Sequence, residues 1–183
     1  MKNSHLRLTI KESFMKKYIA LFITMIITFT SCIGKEKMGF NTRDKMNMQM
    51  ADKIVDCINK EDVDGLYNLF SEEVKNSDMT LRNNIEKLYN YINGKIESYE
   101  KFGITSKTSI EKNQNASYYD SKFKLIINEI PYLLYYTYTV KNDFQPKTIG
   151  LKCIKIVLET DEEKYFCYWD EIAPGVFLPD EAK

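Results

Sequence analysis

Histidine is almost missing from this chain: among 183 residues there is one, His5, near the amino end. Everything downstream of it therefore lacks the general base of a Ser-His-Asp or Cys-His nucleophile pair. Zinc or iron held by imidazole is excluded there as well. Cysteine is scarce too, with Cys32, Cys57, Cys153 and Cys167 and no C-x-x-C spacing. That spacing is what a thiolate zinc site or a redox dithiol needs, so neither is expected. Excess charge of one sign is absent, since 26 basic residues balance 26 acidic ones. Without a basic cluster, no nucleic-acid footprint is expected. Long hydrophobic runs are missing as well. The longest, Tyr18 to Phe29, has twelve residues, about 18 Å of helix against a hydrocarbon core of about 30 Å.

That short run is nevertheless informative because of its flanks. Met15-Lys16-Lys17 gives it a positive start, and Thr30-Ser31-Cys32 follows it. Charge, apolar block and small residues in this order describe an export signal. The stretch ending at Cys32 resembles a bacterial lipobox, whose cysteine receives a diacylglyceryl group before cleavage on its amino side. The usual Leu three residues before the cysteine is replaced here by Phe29. The other reading is an ordinary secretory signal cut nearby, with Cys32 a free thiol. Met1 to Phe14 forms a polar extension upstream, and Met15 is an alternative start.

The resemblance implies a signal peptide over residues 1–31, a lipid-anchored tether over 32–44 and one domain over 45–183. A cysteine carrying two acyl chains holds a membrane stably where a single chain does not. The expected location is thus the outer side of a bacterial membrane, in the cell envelope. Residues 1–31 carry Lys2, Arg7, Lys11, Lys16 and Lys17 against Glu12, so their removal leaves a domain with a net charge of −4.

In the remaining 152 residues, a single core is expected. Met46, Met50, Ile54 and Ile58 recur every four positions and predict a helix over residues 45–59. Met46, Met48 and Met50 read as core packing ahead of a soft-metal site, and no cofactor is expected. Asp62 caps a second, short helix containing Leu66, Leu69 and Phe70. Gly65 there costs about 1 kcal/mol relative to Ala. Ser71 to Met79 loosens the chain. A third helix follows with Leu81, Ile85, Leu88 and Ile92, capped by Asp78 or Thr80 and ended by Gly94.

Beyond Gly94 the period drops to two. Ile96 to Phe102 is a first strand and Thr105 to Glu111 a second candidate, with a polar break over 112–116. Tyr118 to Asn128 alternates weakly, and Asn128-Glu129-Ile130-Pro131 turns the chain into Tyr132 to Val140. There Tyr132, Leu134, Tyr136, Tyr138 and Val140 share a face that should be buried. Leu133, Tyr135 and their neighbours form the other face, a candidate apolar patch for a homodimer. Gly150 to Glu159 and Tyr165 to Asp170 should form a hairpin around Asp161-Glu162-Glu163. Within it, a Cys153–Cys167 disulfide depends on a three-residue turn; otherwise the cysteines are small buried apolar residues. Pro174 to Pro179 should lie extended against the sheet. Helices first and antiparallel strands afterwards make an α+β domain, its helices packed on one face of a curved sheet.

Several segments carry a family likeness: Ala51-Asp52, Leu66-x-x-Leu69-Phe70-Ser71, Gly94 to Tyr99, and Tyr168-Trp169-Asp170 followed by Pro174 to Pro179. They resemble uncharacterised bacterial lipoproteins grouped as domain-of-unknown-function family 5104. The element order is similar to the nuclear transport factor 2-like cone. The resemblance implies a pocket inside the cone and assigns no catalytic residue. Tyr136, Tyr138 and Trp169 either line such a pocket or fill the core. Asp170 and Glu171, at a strand end, are the carboxylates that would serve as a general base beside a tyrosine. Two functions follow as expectations. One is a membrane-anchored domain that binds a small molecule or a protein. The other is an isomerase or dehydratase of carboxylate and tyrosine type.

Overall fold

A computed structural model of the chain describes residues 44–111, 114–165 and 173–180, with backbone alone for 104–111 and 114. Two compact units divide the chain, residues 1–46 and 47–183. Of the first, only residues 44–46 are described, as the opening of a helix. Cys32, Cys167, Trp169, Asp170 and Glu171 lie outside the described residues. No helix among those described is long and apolar enough to cross a membrane.

Helix α1 is described over residues 44–59, and Met50, Ala51, Ile54, Val55 and Ile58 on it are buried. Its end is clamped to the sheet, because the side-chain amide of Asn59 bonds both the N–H (2.7 Å) and the carbonyl (3.2 Å) of Ile96. Helix α2, Val63–Leu69, is capped by Asp62, whose carboxylate accepts from the Gly65 N–H. A Cβ on Gly65 would stand 2.2 Å from that carboxylate. The glycine that weakens the helix by propensity is thus what lets its cap close.

The segment expected to be loose forms a helix instead. Ser71 accepts from the Val74 N–H and starts α3, Glu72–Ser77, with Val74 buried. Six residues are too few for a helix to hold on propensity, so the periodicity of the sequence gave no sign of it. Helix α4, Leu81–Ile92, buries Leu81, Ile85, Leu88 and Ile92 as expected. It ends on Asn93 in the left-handed conformation, one residue before the predicted Gly94. Each fully buried aliphatic side chain contributes about 1.5–3 kcal/mol, so this stripe is what fixes α4 against the sheet.

Among the described residues the sheet has five strands in the order β1-β2-β3-β4-β5: β1 Ile96–Glu111, β2 Gln114–Ile127, β3 Ile130–Asn142, β4 Gly150–Leu158 and β5 Gly175–Phe177. The first four form an antiparallel meander. The two strands expected before residue 112 are one, carried past its interruption by a register shift between Lys101 and Gly103. Asn128 and Glu129 both take positive φ, making the two-residue turn whose twist suits a hairpin. Together, helices followed by a mostly antiparallel, curved and unclosed sheet make the domain α+β.

The returning strand expected over residues 165–170 lies, beyond Tyr165, outside the described residues, and the edge of β4 along Cys153 to Lys155 is taken by another segment. There β4 pairs in parallel with β5, so the tail predicted to lie against the sheet is a strand within it. Residues 159–165 turn through a short 3-10 helix and a further turn. Cys153 is a buried free thiol, as is Cys57.

Candidate functional site

On β2 to β4 the alternation sorts side chains onto two faces. Tyr119, Phe123 and Leu125 of β2, Leu134 and Tyr136 of β3, and Ile154 and Ile156 of β4 are buried, and most of them pack in one core with α1, α2 and α4. This helix-facing side is filled. Tyr136 is fully buried and stacks on Phe123 at 5.9 Å, while the half-buried Tyr138 packs against the same core. Both therefore join the packing; neither is among the described residues that line the cavity found elsewhere.

The opposite face carries two rows of different character. In the first, Lys122 pairs across to Tyr135 and Tyr135 to Lys155. Glu162 closes this row from above, accepting from the Lys122 ammonium and, at 2.6 Å, from the Tyr135 hydroxyl. Lys155 donates to the Tyr165 carbonyl at 2.7 Å. Burial pushes the Glu162 carboxyl up, but the bonds from Lys122 and Tyr135 outweigh it and leave the group below its ordinary value. Leu133, one step along, is fully buried. The apolar patch expected of Leu133 and Tyr135 is accordingly covered from within the chain.

The second row is Asp120, Thr137 and Cys153, aligned across β2, β3 and β4. Thr137 donates its hydroxyl hydrogen to Asp120 Oδ1 at 2.9 Å. Asp120 is only 4% exposed, an unusual state for a carboxylate. Burial raises the neighbouring Cys153 thiol above its ordinary value, so it stays protonated.

This row opens into a cavity of about 500 Å³ lined by Ser71, Glu73, Val74 and Ser77 of the α3 region, Tyr118, Asp120, Thr137 and Thr139 of the sheet, Asn142, Thr148, Lys152 and Pro174. The size lies within the range of small-molecule sites. A shallower hollow of about 510 Å³ adjoins it and shares Glu73, Ser77 and Thr148. Two irregularities shape the cavity. Thr137 pairs with Cys153 but Tyr138 with Leu151, so Lys152 is the extra residue of a bulge, a device that re-aims a side chain. Strict alternation would have turned Lys152 away from the face of Cys153; the bulge lets it line the same cavity as Asp120. Gly150, at φ +125°, brings the start of β4 against Ser71, where a Cβ would stand 2.8 Å from the backbone nitrogen.

None of these lining residues was foreseen. Only Asp120 left a signal, because aspartate is depleted in strands and it stands among Tyr118, Tyr119, Ser121 and Phe123. Among the described residues, Tyr99 with Asp52 and Tyr135 with Glu162 form tyrosine–carboxylate hydrogen bonds of the kind sought for catalysis. Both are away from the cavity, and among the described residues no group of His, Cys, Asp and Glu is arranged to hold a metal.

The model of the family described as Domain of unknown function (DUF5104) matches residues 53–159, more than half of the chain. That span runs from α1 to the end of β4 and includes Asp120, Thr137 and Lys152. No curated protein matches the chain.

Proposed function

The chain belongs to the DUF5104 family, and from that premise we propose that it is a lipid-anchored bacterial envelope protein whose domain binds a small molecule. The cavity over Asp120 carries this reading. A hollow of about 500 Å³ lined by the hydroxyls of Ser71, Tyr118, Thr137, Thr139 and Thr148 together with charged side chains has the size and the few convergent polar groups of a small-molecule site. The anchor rests on Cys32 and the apolar block before it, which would moor the domain at the outer side of the membrane. The order of helices and strands favours a nuclear transport factor 2-like cone, with the ligand on the sheet face away from α1 and α4. The second reading is an isomerase or dehydratase. Its candidates are Tyr118 and Asp120, two residues apart on one strand face.

Two experiments test this. Cys32→Ala, expressed in a bacterial host, should move the protein from the membrane to the soluble exported fraction; equal release of both forms would remove the anchor. Thr139→Trp fills the cavity from its half-buried rim. Native mass spectrometry of protein taken from the exported fraction should find small-molecule adducts on the wild type that are absent from this variant. Identical spectra without adducts would argue against a binding domain.

A further inference from the structure

Polar side chains crowd the cavity, and what each already does narrows the ligand. Of the twelve lining residues only Val74 and Pro174 lack a polar side chain. Most of the hydroxyls are engaged within the protein. Ser71 accepts from the Val74 N–H, Ser77 donates to the Val74 carbonyl, Thr137 donates to Asp120, and Thr148 donates to the Gln145 carbonyl. Asp120 is engaged beyond Thr137 as well, so it contributes its charge alone. The side chains of Glu73, Tyr118, Thr139 and Lys152 are different: they line the cavity and form no hydrogen bond or ion pair among the described residues.

Resting on the binding reading above, we propose that the cavity takes a small neutral sugar. Charge disfavours ions of either sign. The carboxylates of Glu73 and Asp120 oppose an anion, and the Lys152 ammonium, set on the wall by the bulge in β4, opposes a cation. An apolar ligand would displace water and leave the ammonium and the hydroxyls without partners. A sugar hydroxyl both donates and accepts, and the four side chains answer it: Glu73 accepts, Lys152 donates, and the hydroxyls of Tyr118 and Thr139 do either. Bonds to Glu73 and Lys152 are charge-assisted, the stronger kind. Between these polar tips the wall is carbon, from the Tyr118 ring, the Thr139 methyl and Pro174. The C–H face of a sugar ring suits such a surface, as an aromatic side chain offers an apolar body with a polar tip.

The test is calorimetric titration of the purified full chain with glucose, galactose, ribose, N-acetylglucosamine and maltose. Glucuronate, glucosamine and alanine are titrated alongside as an anion, a cation and a zwitterion. At least one neutral sugar should bind, about tenfold or more tighter than each charged probe. Tyr118→Phe keeps the ring and removes one hydroxyl, and Glu73→Ala removes the acceptor. Each should weaken that sugar by about two- to tenfold, and Thr139→Trp should abolish its binding. Glu73 is exposed and alanine is the better helix former, so Glu73→Ala keeps the fold even if another variant does not. Charged probes binding as well as the sugars would overturn the ligand class and leave the binding reading intact. So would silence of every sugar while the wild type carries adducts that Thr139→Trp lacks. A sugar that binds Tyr118→Phe and Glu73→Ala as tightly as wild type would overturn the assignment of these side chains. Failure of every probe, with Thr139→Trp and wild type giving identical adduct-free spectra, would overturn both readings.

Discussion

Tyr136 and Asn47 meet inside the core, the phenol oxygen lying 2.6 Å from Asn47 Oδ1 and 2.9 Å from the Asn47 main-chain oxygen. Ser121 donates to the same Oδ1 at 2.6 Å. Three buried polar groups from α1, β2 and β3 thus satisfy one another, although Asn47 Nδ2 has no partner among the described residues. Burial raises the Tyr136 phenol well above its ordinary value, so it acts as a neutral donor at every physiological pH.

Tyr136→Phe removes that donor and keeps the ring's stacking. An unsatisfied buried acceptor costs about 1–3 kcal/mol. The urea midpoint should fall by that amount with the slope unchanged. A midpoint equal to wild type would mean that the cluster adds nothing to stability.

Gly150→Ala tests the close approach at the start of β4. The residue sits at φ +125°, and the new Cβ meets the backbone of Ser71 and Leu69 at 2.8 and 3.0 Å. Strain and clash together should cost about 2 kcal/mol or more. Because Ser71 caps α3, amide exchange over residues 71–77 should quicken more than exchange in α4. Unchanged thermal stability would contradict the geometry.

Glu162 makes stability depend on acid. Its carboxyl is held below the ordinary 4.5 in the folded protein, so its contribution is complete above that value. It is lost as pH falls through the lower folded value. Glu162→Gln should cost about 1 kcal/mol at neutral pH, a figure reduced for partial exposure. The variant should show a flatter acid limb in denaturation measured from pH 6 to pH 3. Parallel curves for the two proteins would assign the acid limb elsewhere.

Thr137→Val leaves the shape of the second row and deletes the hydroxyl that donates to Asp120. Weakening the support of a buried carboxylate should destabilise by about 1–3 kcal/mol, while Thr137→Ser should restore most of the loss. Urea denaturation of the pair distinguishes a lost bond from altered packing, for which Ser would be the more harmful change.

Cys153 and Cys57 are buried and their thiols are raised by burial first of all. Thiolate is the reactive form. Both should resist alkylation in the native protein at pH 8 and react on unfolding, as read by mass spectrometry of labelled peptides. Fast native labelling of Cys153 would mean that the Asp120 row opens to solvent.

How far the sequence reached depended on whether an element announces itself locally. The spacing of Leu81, Ile85, Leu88 and Ile92, the alternation around Tyr136 and the Asn128-Glu129 turn all act through neighbours in the chain, and each predicted element formed. Helix α3 did not announce itself because six residues with one buried Val74 have no period to read. β5 did not because a three-residue strand exists only where β4 offers it an edge. The tyrosines chosen for a pocket went to the core, since alternation says which residues share a face but not which face the helices will cover.

The sequence by itself determined the α+β class, the helix stripes, the strand phases and the poverty of histidine that narrows the available chemistry. Those follow from residue identity and short-range periodicity. Only the tertiary structure decided that Asp120, Thr137 and Lys152 share one cavity. A bulge in β4 is defined by its pairing with β3, and burial of a carboxylate is a property of everything packed around it. Neither quantity exists until the strands are in register.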